Sequence, residues 1–177
     1  MLRNDLFRFI AFKLEGKHEP KGDIIGETAY GITKVYYPDE FERIKNAKPE
    51  EREDVILAVY NELYEKSKAK YLKYPLNYYY FDFWFHKAVA AVNGLQLTVN
   101  WIKQYRLLEV DGVFGPKTLL GVEQVINTLD KIDLVCNKFN NFRIEFYNKS
   151  HSHFSRGWIN RVLRLSDFVL YRRLHNE

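Results

Sequence analysis

Two carboxylates and a threonine near the N-terminus have residue types and a spacing that suit acid–base chemistry. Glu15 closes an amphipathic stretch, Asp23 follows eight residues later, and Thr28 follows after another five. Hydrolysis of a glycosidic bond needs a carboxylic acid that protonates the leaving oxygen and a second carboxylate that acts as base or nucleophile. The pattern therefore predicts Glu15 as general acid, Asp23 as base or electrostatic stabiliser, and Thr28 as the residue that orients water.

A helix and a glycine-punctuated loop must position these residues. Apolar residues recur at helical spacing before Glu15, which predicts a helix over about residues 3–15 that ends at Gly16. Residues 16–33 contain four glycines and lack helical periodicity, which predicts a loop with a short, irregular β-hairpin. In this loop Tyr30 is the predicted sugar contact, and Glu27 is the reserve second carboxylate at the substrate. Phe12, Leu14 and Tyr30 would form a low-dielectric wall that raises the pKa of Glu15.

Taken alone, this pattern is weak. A glutamate at the end of a helix is usually just exposed, and an aspartate after a glycine is most often a turn residue. Glycines surround all three side chains, and this context is what favours a functional site over these ordinary interpretations.

The rest of the chain is predicted to be mainly α, giving a lysozyme-like helical fold with a small β-hairpin element at the active site. Pro38 and Pro49 each open a helix. Residues 78–92 are apolar nearly all round and predict a central buried helix, which ends or bends at Asn93-Gly94 before continuing to Tyr105. Further helices are predicted from Pro116 or Lys117, over about 130–149 and over about 156–174. Two packed subdomains are expected, residues 1–92 and 93–177.

Asp82 lies in an aromatic run and must be paired if it is buried. We predict it as a substrate-cleft residue, with bracing of the cleft favoured over chemistry, and expect Arg143 or Arg161 to pair with a carboxylate. Most of the nearby aromatic side chains should be core. The C-terminal arginines Arg161, Arg164, Arg172 and Arg173 could bind phosphate-bearing polymers, but they are interpreted as a basic exposed face.

Composition limits the class of protein. The formal net charge of +4 fits an anionic partner such as bacterial wall polymer, and it also fits nucleic acid or no polyanion at all. The single cysteine, Cys136, excludes an internal disulfide framework and is predicted to be a small core residue. His151 and His153 lack the neighbours of a metal site, so no metal or cofactor is expected. Neither a signal peptide nor a membrane-spanning stretch is recognised, so we expect cytoplasmic synthesis and action on the wall after release or export by another factor.

Four sequence elements in order resemble glycoside hydrolase family 108, the phage-type N-acetylmuramidases. They are Glu15-Gly16 with the 23–33 segment DIIGETAYGIT, the 111–118 segment DGVFGPKT, Phe142-Arg143 with Phe146-Tyr147, and the 157–162 segment GWINRV. The resemblance implies a muramidase with Glu15 as catalytic acid, a C-terminal peptidoglycan-binding-like segment, and Asp23 and Thr28 at the family's loop positions. The chain departs from the family at Lys17, Ile24-Ile25, Ala29 and His86, and the altered loop bears on substrate preference and rate.

Two hypotheses of different classes follow from the sequence. The first is a peptidoglycan hydrolase, interpreted as a phage or prophage endolysin that acts on bacterial peptidoglycan. A monomer is favoured although the sequence does not give the oligomeric state, and neither nucleic-acid binding nor stable membrane insertion is expected. The second is a catalytically weak or inactive wall-binding or virion protein with the same fold. A helical nucleic-acid binder is a weaker third option, because the sequence has no recognition-helix motif.

Overall fold

The computed structural model describes residues 2–15, 27–127, 131–150 and 154–175. The fold is mainly α with a small two-stranded sheet, as the sequence predicted. The chain forms two compact units, residues 1–64 and 65–177. The division falls inside a helix, whereas the sequence predicted subdomains of residues 1–92 and 93–177.

The first unit contains a long N-terminal helix, a β-hairpin and two further helices. Helix α1 spans Leu2–Arg8 and runs directly into a π-helical segment, Phe9–Glu15. Strands β1 (Thr28–Ala29) and β2 (Ile32–Thr33) form the hairpin, and they are followed by α2 (Pro38–Asn46) and α3 (Arg52–Ser67). The helix predicted over residues 3–15 and the start of a helix at Pro38 are both confirmed. The buried side chains that hold this unit together come from every one of these elements except β1, and they include Leu6, Phe7, Ile10, Ile32, Phe41, Ile44, Ile56 and Tyr60.

The second unit is a helical bundle around an aromatic core. It contains a short 3-10 turn (Ala69–Tyr71), α4 (Leu76–Lys103), α5 (Pro116–Ile126), α6 (Lys131–Lys149) and α7 (Ser155–Leu174). Helix α4 packs against α5 and α6, and α6 packs against α7. The predicted central helix is therefore confirmed. Its core position is marked by buried aromatic residues: Tyr78, Tyr79, Tyr80, Phe81, Phe83 and Phe85 on α4, with Phe139 and Tyr147 on α6.

The bend in α4 is not where the sequence placed it. The prediction that Asn93-Gly94 ends or bends the helix is wrong, since both residues are helical and the non-helical backbone lies at Lys87 (φ −147°, ψ 75°). A Cβ built on Gly94 would lie 2.4 Å from Cδ1 of Phe142. The glycine therefore serves the close approach of α6, and packing overrides the local turn signal of Asn-Gly.

This close approach predicts opposite outcomes for two glycine-to-alanine changes. Gly94→Ala should lower the free energy of unfolding by about 1–3 kcal/mol, because the new methyl group forces the Phe142 ring to move in a packed core. Gly157→Ala in α7 should instead raise it by about 0.5–1 kcal/mol, because a Cβ at that position meets no atom within 4 Å. Urea denaturation of both variants checks the pair, and equal effects would contradict the assigned role of Gly94.

Candidate active site

Glu15 is the last residue of the π-helical segment and its side chain is half-buried. The same segment buries Ile10 and Ala11 in the core, so its position is fixed by packing. π-Helical turns are rare and are found frequently at functional sites. The predicted acid, Glu15, thus lies at the end of a helix whose other face is buried in the core through Ile10 and Ala11.

The hairpin that follows has a tight two-residue turn. Its strands pair Thr28 with Thr33 and Ala29 with Ile32. Tyr30 and Gly31, the turn residues, both have positive φ angles of 50° and 77°. Two successive positive φ angles are the signature of a type I′ turn, whose twist matches that of the flanking strands. The short hairpin predicted for this loop is confirmed for residues 28–33.

Tyr30 connects the hairpin to the segment that carries Glu15. Its ring packs edge-on against Phe12, with the ring centroids 5.4 Å apart. Its backbone carbonyl accepts a hydrogen bond from the hydroxyl of Tyr60 on α3, at 2.8 Å. The hairpin tip is therefore held from two sides. The helix that ends at Glu15 therefore meets the loop that carries Tyr30. The low-dielectric wall of Phe12, Leu14 and Tyr30 beside Glu15 stays a prediction.

Removal of the Tyr60 hydroxyl tests how firmly this tip is held. Tyr60→Phe should reduce the free energy of unfolding by about 0.5–1.5 kcal/mol, since it deletes one hydrogen bond and leaves the carbonyl of Tyr30 without that donor. Tyr36→Phe is the matched control, because the Tyr36 side chain is 67% exposed. Chemical denaturation of both variants gives the difference, and equal stabilities would contradict an anchoring role for Tyr60.

Thr28 and Glu27 lie at the base of the hairpin. The hydroxyl oxygens of Thr28 and Thr33 are 3.2 Å apart, so one donates to the other. Glu27 is exposed, and its carboxylate accepts a hydrogen bond from Lys45 Nζ at 3.0 Å. That hydrogen bond, with the charge of Lys45, lowers the pKa of Glu27. Glu27 is therefore held in the ionised form, which suits a base or a stabilising charge and not a proton donor.

Asp23 lies outside the described residues, so its role as the second carboxylate stays a prediction. His151 and His153 also lie outside the described residues, so the prediction that they form no metal site stays a prediction. Within the described part of the chain, no group of three or more His, Cys, Asp or Glu side chains is arranged to hold a metal ion. In that same part, no helix is both long enough and apolar enough to span a membrane.

Asp82 belongs to the second unit and is a structural residue there. Its carboxylate is fully buried and is paired with Arg143 through one oxygen and with Arg161 Nε through the other, at 2.8 Å for the latter. Burial opposes ionisation, but the charges of Arg161 and Arg143 outweigh it and lower the pKa of Asp82. The expected pairing of these arginines with a carboxylate is confirmed. The expected contact between Asp82 and substrate is corrected, because no part of its carboxylate reaches the surface.

Only two of the four arginines expected in the basic exposed face of α7, Arg164 and Arg173, are exposed. Arg161 is committed to Asp82, Arg172 is buried, and Arg173 donates to the carboxylate of Asp133 at 2.6 Å. Cys136 is buried as predicted, and desolvation raises the pKa of its thiol to about 12. A thiol in that state is not a nucleophile at neutral pH.

The turn at residues 111–115 is held in place by a side chain of α4 that the sequence predictions did not include. Asp111 accepts a hydrogen bond from the Val113 N–H at 2.9 Å, and Gly112 has a φ of 70°. Gln96 of α4 is buried and donates from Nε2 to the Asp111 carboxylate at 2.7 Å, while its Oε1 accepts from the N–H groups of Asp111 and Gly112. A glutamine in the apolar run Leu95-Gln96-Leu97 was the available signal, since a buried amide needs several partners.

Comparison with known proteins relates one segment of this chain to a described family, and the fold to a solved structure. Residues 90–163 match the family model described as Predicted Peptidoglycan domain. The solved structure of SagA from Brucella abortus is similar to this chain with a TM-score of 0.71 and 22% sequence identity, and the match covers 96% of this chain and 94% of that chain. At that identity the similarity shows a shared fold. No curated protein sequence matches significantly. The chain thus carries a peptidoglycan-related segment on a fold that SagA shares.

Proposed function

We propose that this protein is a peptidoglycan hydrolase that cleaves the β-1,4 bond between N-acetylmuramic acid and N-acetylglucosamine. The observation that carries the proposal is the contact between the helix that ends at Glu15 and the hairpin tip at Tyr30. It supports one site in which a half-buried carboxyl group and a loop rich in polar groups face the same substrate. The peptidoglycan domain match at residues 90–163 supports the class of substrate.

In this proposal Glu15 donates a proton to the glycosidic oxygen as the bond breaks. Glu15 is half-buried and lies three residues after Phe12, whose ring packs against Tyr30. Apolar surroundings of this kind would suit a proton donor. The second carboxylate, Asp23 or in reserve Glu27, stabilises the positive charge on the sugar or activates water. The Thr28 hydroxyl orients that water, and the Tyr30 ring supports a sugar residue. The distance between the Glu15 carboxyl group and the second carboxylate decides whether the anomeric configuration is retained or inverted.

Product analysis tests the proposal directly. Purified peptidoglycan is digested with the full chain, and the new reducing ends are reduced with borohydride and identified by mass spectrometry. Reducing N-acetylmuramic acid is expected. Reducing N-acetylglucosamine would instead indicate a glucosaminidase, and release of peptides without new sugar ends would indicate an amidase or peptidase.

A second candidate function is a wall-binding or virion structural protein with little turnover. The observation in its favour is that the family match covers residues 90–163 and leaves out the whole segment that contains Glu15. Co-sedimentation with insoluble peptidoglycan, without release of reducing sugar, would select this candidate. The resemblance to phage-type muramidases makes lysis of the host by a phage or prophage the biological setting that we propose for the hydrolase.

A further inference from the structure

A cavity of about 680 Å³ lies in the second unit, beside the turn at residues 111–115. Its lining comes from α4, from the connection between α4 and α5, and from the first turn of α5. The lining residues are Gln96, Arg106, Leu107, Leu108, Glu109, Asp111, Val113, Gly115, Pro116, Lys117 and Thr118. A volume of this size is within the range of small-molecule and peptide sites. The proposed hydrolase site, built on Glu15 and the hairpin, includes none of these lining residues.

Buried polar side chains hold the walls of this cavity in place. Gln96 and Thr118 are almost fully buried, and Gln96 Nε2 donates to the Thr118 hydroxyl at 3.1 Å as well as to Asp111. One helical turn further along α4, Asn100 donates to the Leu108 carbonyl and accepts from the Leu108 N–H, each at 2.8 Å. The connection is therefore fastened to α4 at two places, Leu108 and Asp111-Gly112. A preformed cavity avoids the ordering cost that a flexible loop would add to binding.

The rim carries charged groups of both signs. Arg106 and Glu109 form an ion pair in which both side chains are about 70% exposed, so solvent screens it and a ligand can compete for either partner. Asp111 is already engaged by Gln96 and the Val113 N–H. Lys117 adds a second cation on the same rim. The site therefore offers exchangeable positive and negative groups above an apolar wall of leucine, valine and proline.

This lining discriminates between the two chemical parts of peptidoglycan. Sugar rings are commonly held by stacking on aromatic faces, and none of the described residues that line the cavity is aromatic. The two carboxylates of the rim balance its two cations, so the lining has no net positive charge to attract a polyanion. A short peptide with free carboxylates, an amine and small aliphatic side chains matches the mixed charges and the apolar wall. We propose that this cavity binds the stem peptide of peptidoglycan, an inference that rests on the proposed function.

Lys117 supports this assignment through its place in the helix. It lies in the first turn of α5, where the helix dipole disfavours a positive charge. Attraction to Asp111 offsets part of that effect. A residue that opposes a local stability rule is expected at a functional position. Lys117→Gln should therefore leave the melting temperature unchanged or higher while it weakens peptide binding.

Calorimetric titration of the full chain with the synthetic peptide L-Ala-γ-D-Glu-L-Lys-D-Ala-D-Ala tests the inference. Lys117→Gln should weaken binding at least tenfold. Gly115→Leu should do the same without loss of charge, since Gly115 has extended backbone and a Cβ there meets no atom within 4 Å, so the larger side chain occupies open space at the cavity. Lys149→Gln, an exposed charge change at the far end of α6, is the control and should bind as the wild type does.

Several results would overturn the proposal. They are a peptide that does not bind at millimolar concentration, equal affinity in all four proteins, or loss of affinity in the Lys149→Gln control alone. Binding of chitotetraose that Gly115→Leu abolishes, with no peptide binding, would reassign the cavity to glycan. The outcome is separable from the proposed function. Sugar release without peptide binding removes this inference only, and peptide binding without sugar release removes the hydrolase only.

Discussion

A Glu15→Gln variant is expected to release reducing sugar from peptidoglycan about 10²–10⁴ times more slowly than the wild type, the range that one general acid contributes. Glutamine keeps the size and shape of the side chain but has no proton to give to the leaving oxygen. The side chain is half-buried at the end of the π-helical segment, so the fold should be retained. Initial rates on purified wall, with circular dichroism spectra of both proteins, provide the measurement.

The control for this change is Glu50→Gln, which removes an exposed carboxylate from the same unit. It should leave both the rate and the melting temperature as they are in the wild type. Co-sedimentation with peptidoglycan should be equal for all three proteins. Equal rates of sugar release by Glu15→Gln and wild type would remove Glu15 from its role, whatever the remaining activity of the protein.

Asp82→Asn is expected to have the largest effect on stability, a loss of about 3–5 kcal/mol in the free energy of unfolding. The amide cannot neutralise the guanidinium groups of Arg143 and Arg161, which are 0% and 7% exposed. Two buried cations would then face each other without a counterion. Urea denaturation or the shift in melting temperature measures the loss.

Asp133→Asn is the matched control because it breaks an ion pair between Asp133 and Arg173 whose side chains are 54% and 42% exposed. This change should cost at most about 1 kcal/mol. The pH dependence has a defined sign. The pKa of Asp82 is lower in the folded state than in the unfolded state. The stability that the ionised carboxylate contributes is therefore fully present above the unfolded-state pKa, and it is lost as the pH falls through the folded-state pKa. If Asp82→Asn lowered the free energy of unfolding as little as Asp133→Asn does, the buried cluster of Asp82, Arg143 and Arg161 would not be a major source of stability.

Local signals in the sequence were sufficient for most of the helices, although α3 begins at Arg52 and not at Pro49. Proline at the first position and apolar periodicity located the starts of α2 and α5, and the short hairpin followed from its glycines. The bend at Lys87 had no local signal. The π-helical winding before Glu15 was also invisible, because residues spaced at i, i+3 and i+4 are compatible with both α and π turns.

The candidate site was predictable only in part, for the same physical reason. Glu15, Thr28 and Tyr30 are close in sequence, and the prediction grouped them for that reason. The structure adds the contact between Phe12 and Tyr30, which joins the elements that carry them. The anchor of the hairpin, Tyr60, comes from another helix, and no spacing rule connects it to Tyr30. The partners of Asp82 are 61 and 79 residues away, so a plausible cleft residue became the centre of a core cluster.

That cluster decides how the segment that matches the peptidoglycan domain can be transplanted. Residues 90–163 include Arg143 and Arg161 but exclude Asp82, which lies eight residues before the match begins. A fusion module excised at those limits would bring two core arginines to a new protein and leave their counterion behind. A graft that is meant to fold by itself has to start upstream of Asp82, within the aromatic half of α4, and extend past Arg161.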